Sequence, residues 1–201
     1  MKRKETVLKQ IGHTETEMCP YVLDFEADCG LEEALDIFYG NDDWKRQYRN
    51  YIVKAPPMPD GRNMWQVGPD RRTDYFGTVW RMDFKPVHVE TPALVEPSLA
   101  DYSFPDISQF ATSDWKARVA EFVSHNSDRF VVIYTGFGLF ERSWMLRGFQ
   151  NALTDAALEP GFYGKLLEAI AEEHILPLLD ELLKLPVDGI MFGDDWGDQR
   201  G

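Results

Sequence analysis

The stretch RFVVIYTGFG, residues 129–138, constrains the fold of this chain more than any other. Its apolar run is continuous rather than alternating. Such a strand has both faces covered, which is the habit of parallel sheets and not of antiparallel sheets with one wet face. A second run of the same kind, VDGIMFG, lies at 187–193. Between the two, Phe140–Arg147 and Gln150–Ala157 read as helices. Pro160 then opens a long helix through Lys184 with the apolar stripe Phe162, Leu166, Leu167, Ile170, Ile175, Leu178, Leu179, Leu182 and Leu183. Pro177 falls inside that helix and is expected to kink it. Strand, helices and strand in this order predict an α/β fold with parallel strands.

Upstream, residues 2–12 read as a short amphipathic helix stopped by Gly12. Pro20 precedes an apolar run, Tyr21–Phe25, expected to be a first buried strand. Residues 31–38 (LEEALDIF) form a short helix before Gly40, and Tyr51–Lys54 is a second strand. Residues 55–104 are rich in proline and glycine and carry alternating segments such as TDYFGTVWRMD. They are expected to form short antiparallel strands or hairpins, inserted into the larger scaffold. Ser113 or Asp114 is expected to cap a helix that runs to about Ser124. With no linker and no repeat in view, residues 1–201 read as a single domain.

The formal net charge is −13, which opposes binding to nucleic acid and to anionic membranes. No apolar run approaches the roughly 20 residues needed to span a bilayer. The N-terminal MKRKETVLKQIGHTE has no apolar signal core, so a cytoplasmic protein is expected. Cys19 and Cys29 are too few for a disulfide framework and too far apart for a zinc knuckle. They read as reduced thiols. His13, His88, His125 and His174 show no metal-binding spacing, and His174 reads as a hydrogen-bonded core residue.

In parallel α/β folds chemistry sits at the carboxyl ends of the strands. That rule selects YTGFGLFERSWMLRG, residues 134–148, where Phe137, Glu141, Arg142, Trp144 and Arg147 read as a pocket wall with an anion-binding arginine. The same residues also fit a strand-to-helix turn with a surface ion pair and a buried tryptophan. The rule further selects MFGDDWGDQRG, residues 191–201. There Asp194 and Asp195 are placed to act as general acid or base, to hold a substrate cation or to ligate a metal, with Trp196 beside them, although one aspartate at such a position can simply cap the next helix. A third stretch, TDYFGTVWRMD, offers Asp74, Trp80, Arg81 and Asp83 from the insertion, or is only a hairpin with aromatic cross-strand pairs.

Taken together, RKETVLKQIGHTETEMCPY, DYFGTVWR, PSLADYSFPD, TGFGLFERSWMLRGFQNAL and VDGIMFGDDWGDQRG resemble the uroporphyrinogen decarboxylase superfamily, and most of all its branch of cobalamin-dependent methyltransferases. The resemblance spans essentially the whole chain. It implies the N-terminal half of a (β/α)8 TIM barrel, since a closed barrel takes about 250 residues, with a β-hairpin insertion at 55–104. A chain ending at Gly201 is then expected to be part of a longer protein.

True decarboxylases of the superfamily clamp tetrapyrrole carboxylates with arginines in a motif like RQAGRY. Here that region reads DFEADCG, and the arginine places fall near Phe25 and Cys29. The decarboxylase's pocket tyrosine falls at Trp144 and its pocket serine near Asp194. These departures favour the methyltransferase branch. For that branch the resemblance implies a small methylated substrate, a corrinoid protein as partner, and zinc held by residues of the second half of the barrel. Cys19 and Cys29 do not match those ligands.

The residues selected at the strand ends and in the insertion give the expected site: Asp194 and Asp195 for catalysis, and Trp144, Glu141, Arg147, Trp196, Phe137 and Asp74 for substrate contact. A homodimer is compatible with the resemblance. The alternatives are uroporphyrinogen decarboxylation, for which Arg142, Arg147 and Arg200 are the available clamps, and a non-catalytic half-barrel binding module.

Overall fold

The computed structural model describes residues 2–23, 30–47, 50–58 and 65–197. It is a mixed α/β structure with two sheets. The first has three parallel strands, β1 (Ile52–Lys54), β6 (Phe130–Phe137) and β7 (Gly189–Gly193), in the order β1-β6-β7. The second is an antiparallel meander of β2 (Trp65–Gly68), β3 (Arg71–Thr73), β4 (Val79–Arg81) and β5 (His88–Thr91). The meander is the antiparallel unit expected within 55–104.

The helices follow the sequence closely. They are α1 (Arg3–Ile11), α2 (Leu31–Tyr39), α3 (Trp44–Gln47), α4 (Ser113–His125), α5 (Leu139–Arg147), α6 (Phe149–Leu158), α7 (Pro160–Ile170) and α8 (Leu176–Leu182). The cap of α4 is Thr112, one residue before the expected Ser113, because its hydroxyl accepts the Trp115 amide. The long helix does not simply kink at Pro177. Ala171–Ile175 form a π-helical turn between α7 and α8, and the Leu176 amide donates to the Ala171 carbonyl. Proline has no N–H and its ring crowds the carbonyl four residues back, so a widened turn just ahead of it removes both conflicts without breaking the rod.

Two strand expectations need correction. Tyr21–Leu23 form no strand and are 37–46% exposed. The Leu23 backbone is bonded to the Asn50 side chain instead of to a sheet ladder, and Asp24 and Phe25 lie outside the described residues. Neither β6 nor β7 is covered along both faces. Tyr134 of β6 is 41% exposed, β7 pairs with β6 on one side only, and Met191 and Phe192 are 37% and 47% exposed.

The core lies on one face of the parallel sheet. Val131 and Ile133 of β6 pack against Trp115 and Val119 of α4, Leu146 of α5, Leu166 and Ile170 of α7, and Leu178 and Leu182 of α8. Burial of each such side chain stabilises the fold by roughly 1.5–3 kcal/mol. Trp115 is fully buried and satisfies its indole N–H on the Pro56 carbonyl at 2.9 Å. Phe76, Leu94 and Phe110 join the same core, which ties the meander and the loop after it to the helices.

α1 closes the amino-terminal end of the parallel strands. Its Lys4 amide donates to Asp128 O at 2.9 Å, Arg3 pairs with the Asp128 carboxylate, and Lys4 Nζ lies 2.5 Å from Asp188 Oδ1. The carboxyl ends of the strands therefore stand at the opposite end of the sheet from α1. Among the described residues no helix is long and apolar enough to cross a membrane.

Candidate functional site at the carboxyl ends of the parallel strands

The exits of β6 and β7 are held together by backbone. Gly136, at φ +79°, lies in a register shift between β6 and β7, a conformation that glycine adopts at no steric cost. The shift brings Phe137 opposite Gly193, and the Gly138 amide donates to Gly193 O at 2.8 Å. The chain then enters α5 with Gly138 at the N-cap position.

Glycine has no side chain with which to cap a helix, so the first-turn amides need another acceptor. Asp194 supplies it from the end of β7. Its Oδ2 accepts the Phe140 amide at 3.0 Å and its Oδ1 accepts the Glu141 amide at 2.8 Å. A Cβ on Gly138 would stand 2.6 Å from Asp194 Oδ2, so the close approach depends on glycine here. Of the two aspartates assigned to catalysis, Asp194 thus spends both oxygens on α5, while Asp195 is exposed.

Glu141 completes a cluster of three carboxylates with Asp194 and Asp195. Partial burial pushes its carboxyl above the usual range, the charges of Asp195 and Asp194 add to the rise, and the Arg142 guanidinium opposes it. Beside the cluster, the Trp196 ring lies 5.5 Å from that of Phe140. Phe140 continues to Phe149 at 6.5 Å, Phe149 to Trp144 at 6.0 Å, and Trp144 to Trp80 at 6.2 Å. A row of aromatic rings thus runs from the carboxylates to the meander. Trp196 is 61% exposed at its open end, and Phe137 is 38% exposed at the exit of β6.

The remaining predicted residues are engaged elsewhere. Arg147 is buried, with Nε 2.6 Å from Asp155 Oδ2 and Nη1 2.6 Å from both Leu94 O and Val95 O. It fastens α5 to α6 and to the loop after β5. Asp74 is buried in its own hairpin, where Oδ1 accepts the Phe76 and Thr78 amides and Oδ2 accepts the Trp80 indole N–H at 2.8 Å. Arg81 pairs with Asp83 at 2.7 Å on the meander surface.

Sequence reasoning missed two features. Arg142 stands neither in an exposed pocket wall nor in a surface ion pair. It is 3% exposed, and its guanidinium lies 3.8 Å from the Phe76 ring centroid. Its burial had a signal in its place beside Ser143, Met145 and Leu146, all buried on α5. Phe140, which links Trp196 to the aromatic row, lay in the selected stretch without being singled out.

A metal is the other ingredient the chemistry would admit. Among the described residues no three His, Cys, Asp or Glu side chains converge to hold one, and the zinc that the resemblance implies would take its ligands from the second half of the barrel. Cys19 is exposed, and Cys29 and Arg200 lie outside the described residues. A cleft of about 470 Å³ lined by Asp106, Thr112, Lys116 and Glu181 contains none of the predicted site residues. In comparisons with family models, curated proteins and solved structures, the chain matches none.

Proposed function

We propose that this chain is a sector of a (β/α)8 barrel of the uroporphyrinogen decarboxylase superfamily, and that it serves a corrinoid-linked methyl transfer from a small methylated substrate. The observation that carries this reading is the meeting of Glu141, Asp194, Asp195 and a partly exposed aromatic row at the carboxyl ends of parallel strands, the end where such barrels do their chemistry. The strand order β1-β6-β7 supports the barrel, because successive strands of a barrel are neighbours and the order never reverses.

A corrinoid carried by a partner protein would supply the electron pair that accepts the methyl group. The bond between methyl and heteroatom breaks with its electrons left on the heteroatom, which then needs a proton. Glu141 suits the role of proton donor. Partial burial and the neighbouring carboxylates raise its pKa, which favours the protonated form that can give its proton to the departing atom. Trp196, Phe140 and Trp144 form an apolar wall for the methylated end of the substrate and exclude water from it. Asp195 orients the polar end.

Decarboxylation of a tetrapyrrole is the weaker reading. It needs cationic clamps, and Arg147 is committed to Asp155 and two carbonyls, while Arg142 is buried against Phe76.

The test is to mix a protein that carries this sector within a whole barrel with reduced cobalamin and, in turn, a methylated amine, an aryl methyl ether and a methyl thioether, and to follow the corrinoid absorption spectrum. Conversion with one donor class, lost in Glu141→Gln, supports the reading. Release of carbon dioxide from uroporphyrinogen without any methyl transfer overturns it in favour of decarboxylation. Neither reaction leaves the binding module.

A further inference from the structure

We infer that Asp194 is a positioning residue for Glu141, the two together forming a latch between the exit of β7 and the first turn of α5. The inference rests on the reading of Glu141 as the proton donor and gives the neighbouring aspartate a separate duty. The geometry is specific. α5 begins at a glycine that cannot cap it, and the two amides a cap would serve, those of Phe140 and Glu141, both point at Asp194 oxygens, at 3.0 and 2.8 Å. The second of these amides belongs to the proton donor itself.

Three further contacts seat the same segment. Gly138 N bonds Gly193 O at 2.8 Å, the Trp196 ring lies 5.5 Å from that of Phe140, and Gly138 leaves room for the carboxylate that its own Cβ would displace. The carboxylate fixes the backbone of residue 141 and sets a negative charge beside its side chain. The charged groups facing Glu141 are Asp194 and Asp195 from the β7 exit and Arg142 from α5. Asp195 acts on Glu141 by charge alone, and Asp194 by charge and by backbone.

Amide hydrogen exchange and ¹³C titration of the Glu141 carboxyl, both by NMR on the full chain, test this. In Asp194→Ala the Phe140 and Glu141 amides should exchange on the order of three- to tenfold faster, and the Glu141 midpoint should fall. Gly138→Ala, which keeps Asp194 but places a methyl in its seat, should speed the same two amides. Asp195→Ala should lower the midpoint and leave both amides protected. In the methyl-transfer assay Asp194→Ala should lower kcat with little change in KM, and Asp194→Asn should recover part of it.

Unchanged exchange at both amides in Asp194→Ala and Gly138→Ala overturns the inference. So does faster exchange with an unmoved Glu141 titration, since the aspartate is then only a cap. If exchange and titration both respond but the whole-barrel protein transfers no methyl group, the latch stands and the proposed reaction falls.

Discussion

Arg147 and Asp155 form an ion pair inside the protein, with Nε 2.6 Å from Oδ2 and side chains only 4% and 8% exposed. The arginine also donates to Leu94 O and Val95 O. Either partner left alone would be a buried charge without its counterion, and breaking a buried pair costs about 3–5 kcal/mol. Arg147→Ala and Asp155→Ala should each lower the urea midpoint by that order. The double variant should cost less than the sum, because each single change already loses the pair. Arg147→Lys should recover little, since an ammonium cannot span one carboxylate and two carbonyls as a planar guanidinium does. A midpoint in Arg147→Ala close to wild type would make this arginine a substrate clamp again.

Asp74 should behave as a structural residue of the meander. Its carboxylate serves the Phe76 amide, the Thr78 amide and the Trp80 indole. Asp74→Ala orphans three buried donors, at about 1–3 kcal/mol for each that finds no water. We expect a loss of at least ~2 kcal/mol in urea unfolding and a red shift of tryptophan emission as Trp80 loosens from Trp144. Asp74→Asn should fall between, since its amide oxygen still accepts but its NH₂ meets a donor. A destabilisation under about 0.5 kcal/mol, the usual range for surface substitutions, would show that the carboxylate is available to a ligand.

What the sequence made legible follows from how local each signal is. The continuous runs that became β6 and β7 and the helical stripes between them are short-range patterns, and they gave the parallel α/β class and most helix boundaries. The Gly and Pro punctuation of 55–104 likewise announced an antiparallel unit. What failed depended on distant partners. Tyr21–Leu23 has a strand-like composition, but its Leu23 backbone bonds to the Asn50 side chain and its Tyr21 carbonyl accepts the Tyr51 amide. Pro177 announced a disturbance, but its form, a π turn over Ala171–Ile175, depends on keeping Leu178 and Leu182 in the core.

The site was legible as a place and less so as a set of roles. Asp194 reads from the sequence as a residue after a strand. Only the approach of β7 to α5 shows that it caps the helix that precedes it in the chain. Arg142 and Arg147 stand in one helix with Glu141, and only the packing of Phe76 and Asp155 against them shows that both guanidiniums are used inside the protein.

His174 supplies the last prediction. It sits in the π turn, 4% exposed, with its ring 4.9 Å from that of Phe76 and 5.1 Å from that of Phe110. It is a core residue as expected, and its Nδ1 is sealed from solvent without a partner among the described residues. Burial lowers its pKa to about 3, and the Arg142 guanidinium adds to the fall. In the unfolded chain its value returns to about 6.5. Below that value the unfolded state binds a proton that the folded state refuses, so this residue costs stability as pH falls from about 6.5 toward 3 and costs none above it. At pH 5 the penalty is ~2 kcal/mol. His174→Phe places a ring of similar shape among the aromatic neighbours, without the unpartnered nitrogen. The variant should match or exceed wild-type stability at pH 7 and gain on it by ~2 kcal/mol at pH 5, read from urea unfolding at the two values. Parallel curves for wild type and variant between pH 7 and 5 would mean that the imidazole takes up its proton in the folded state and that the turn opens to admit it.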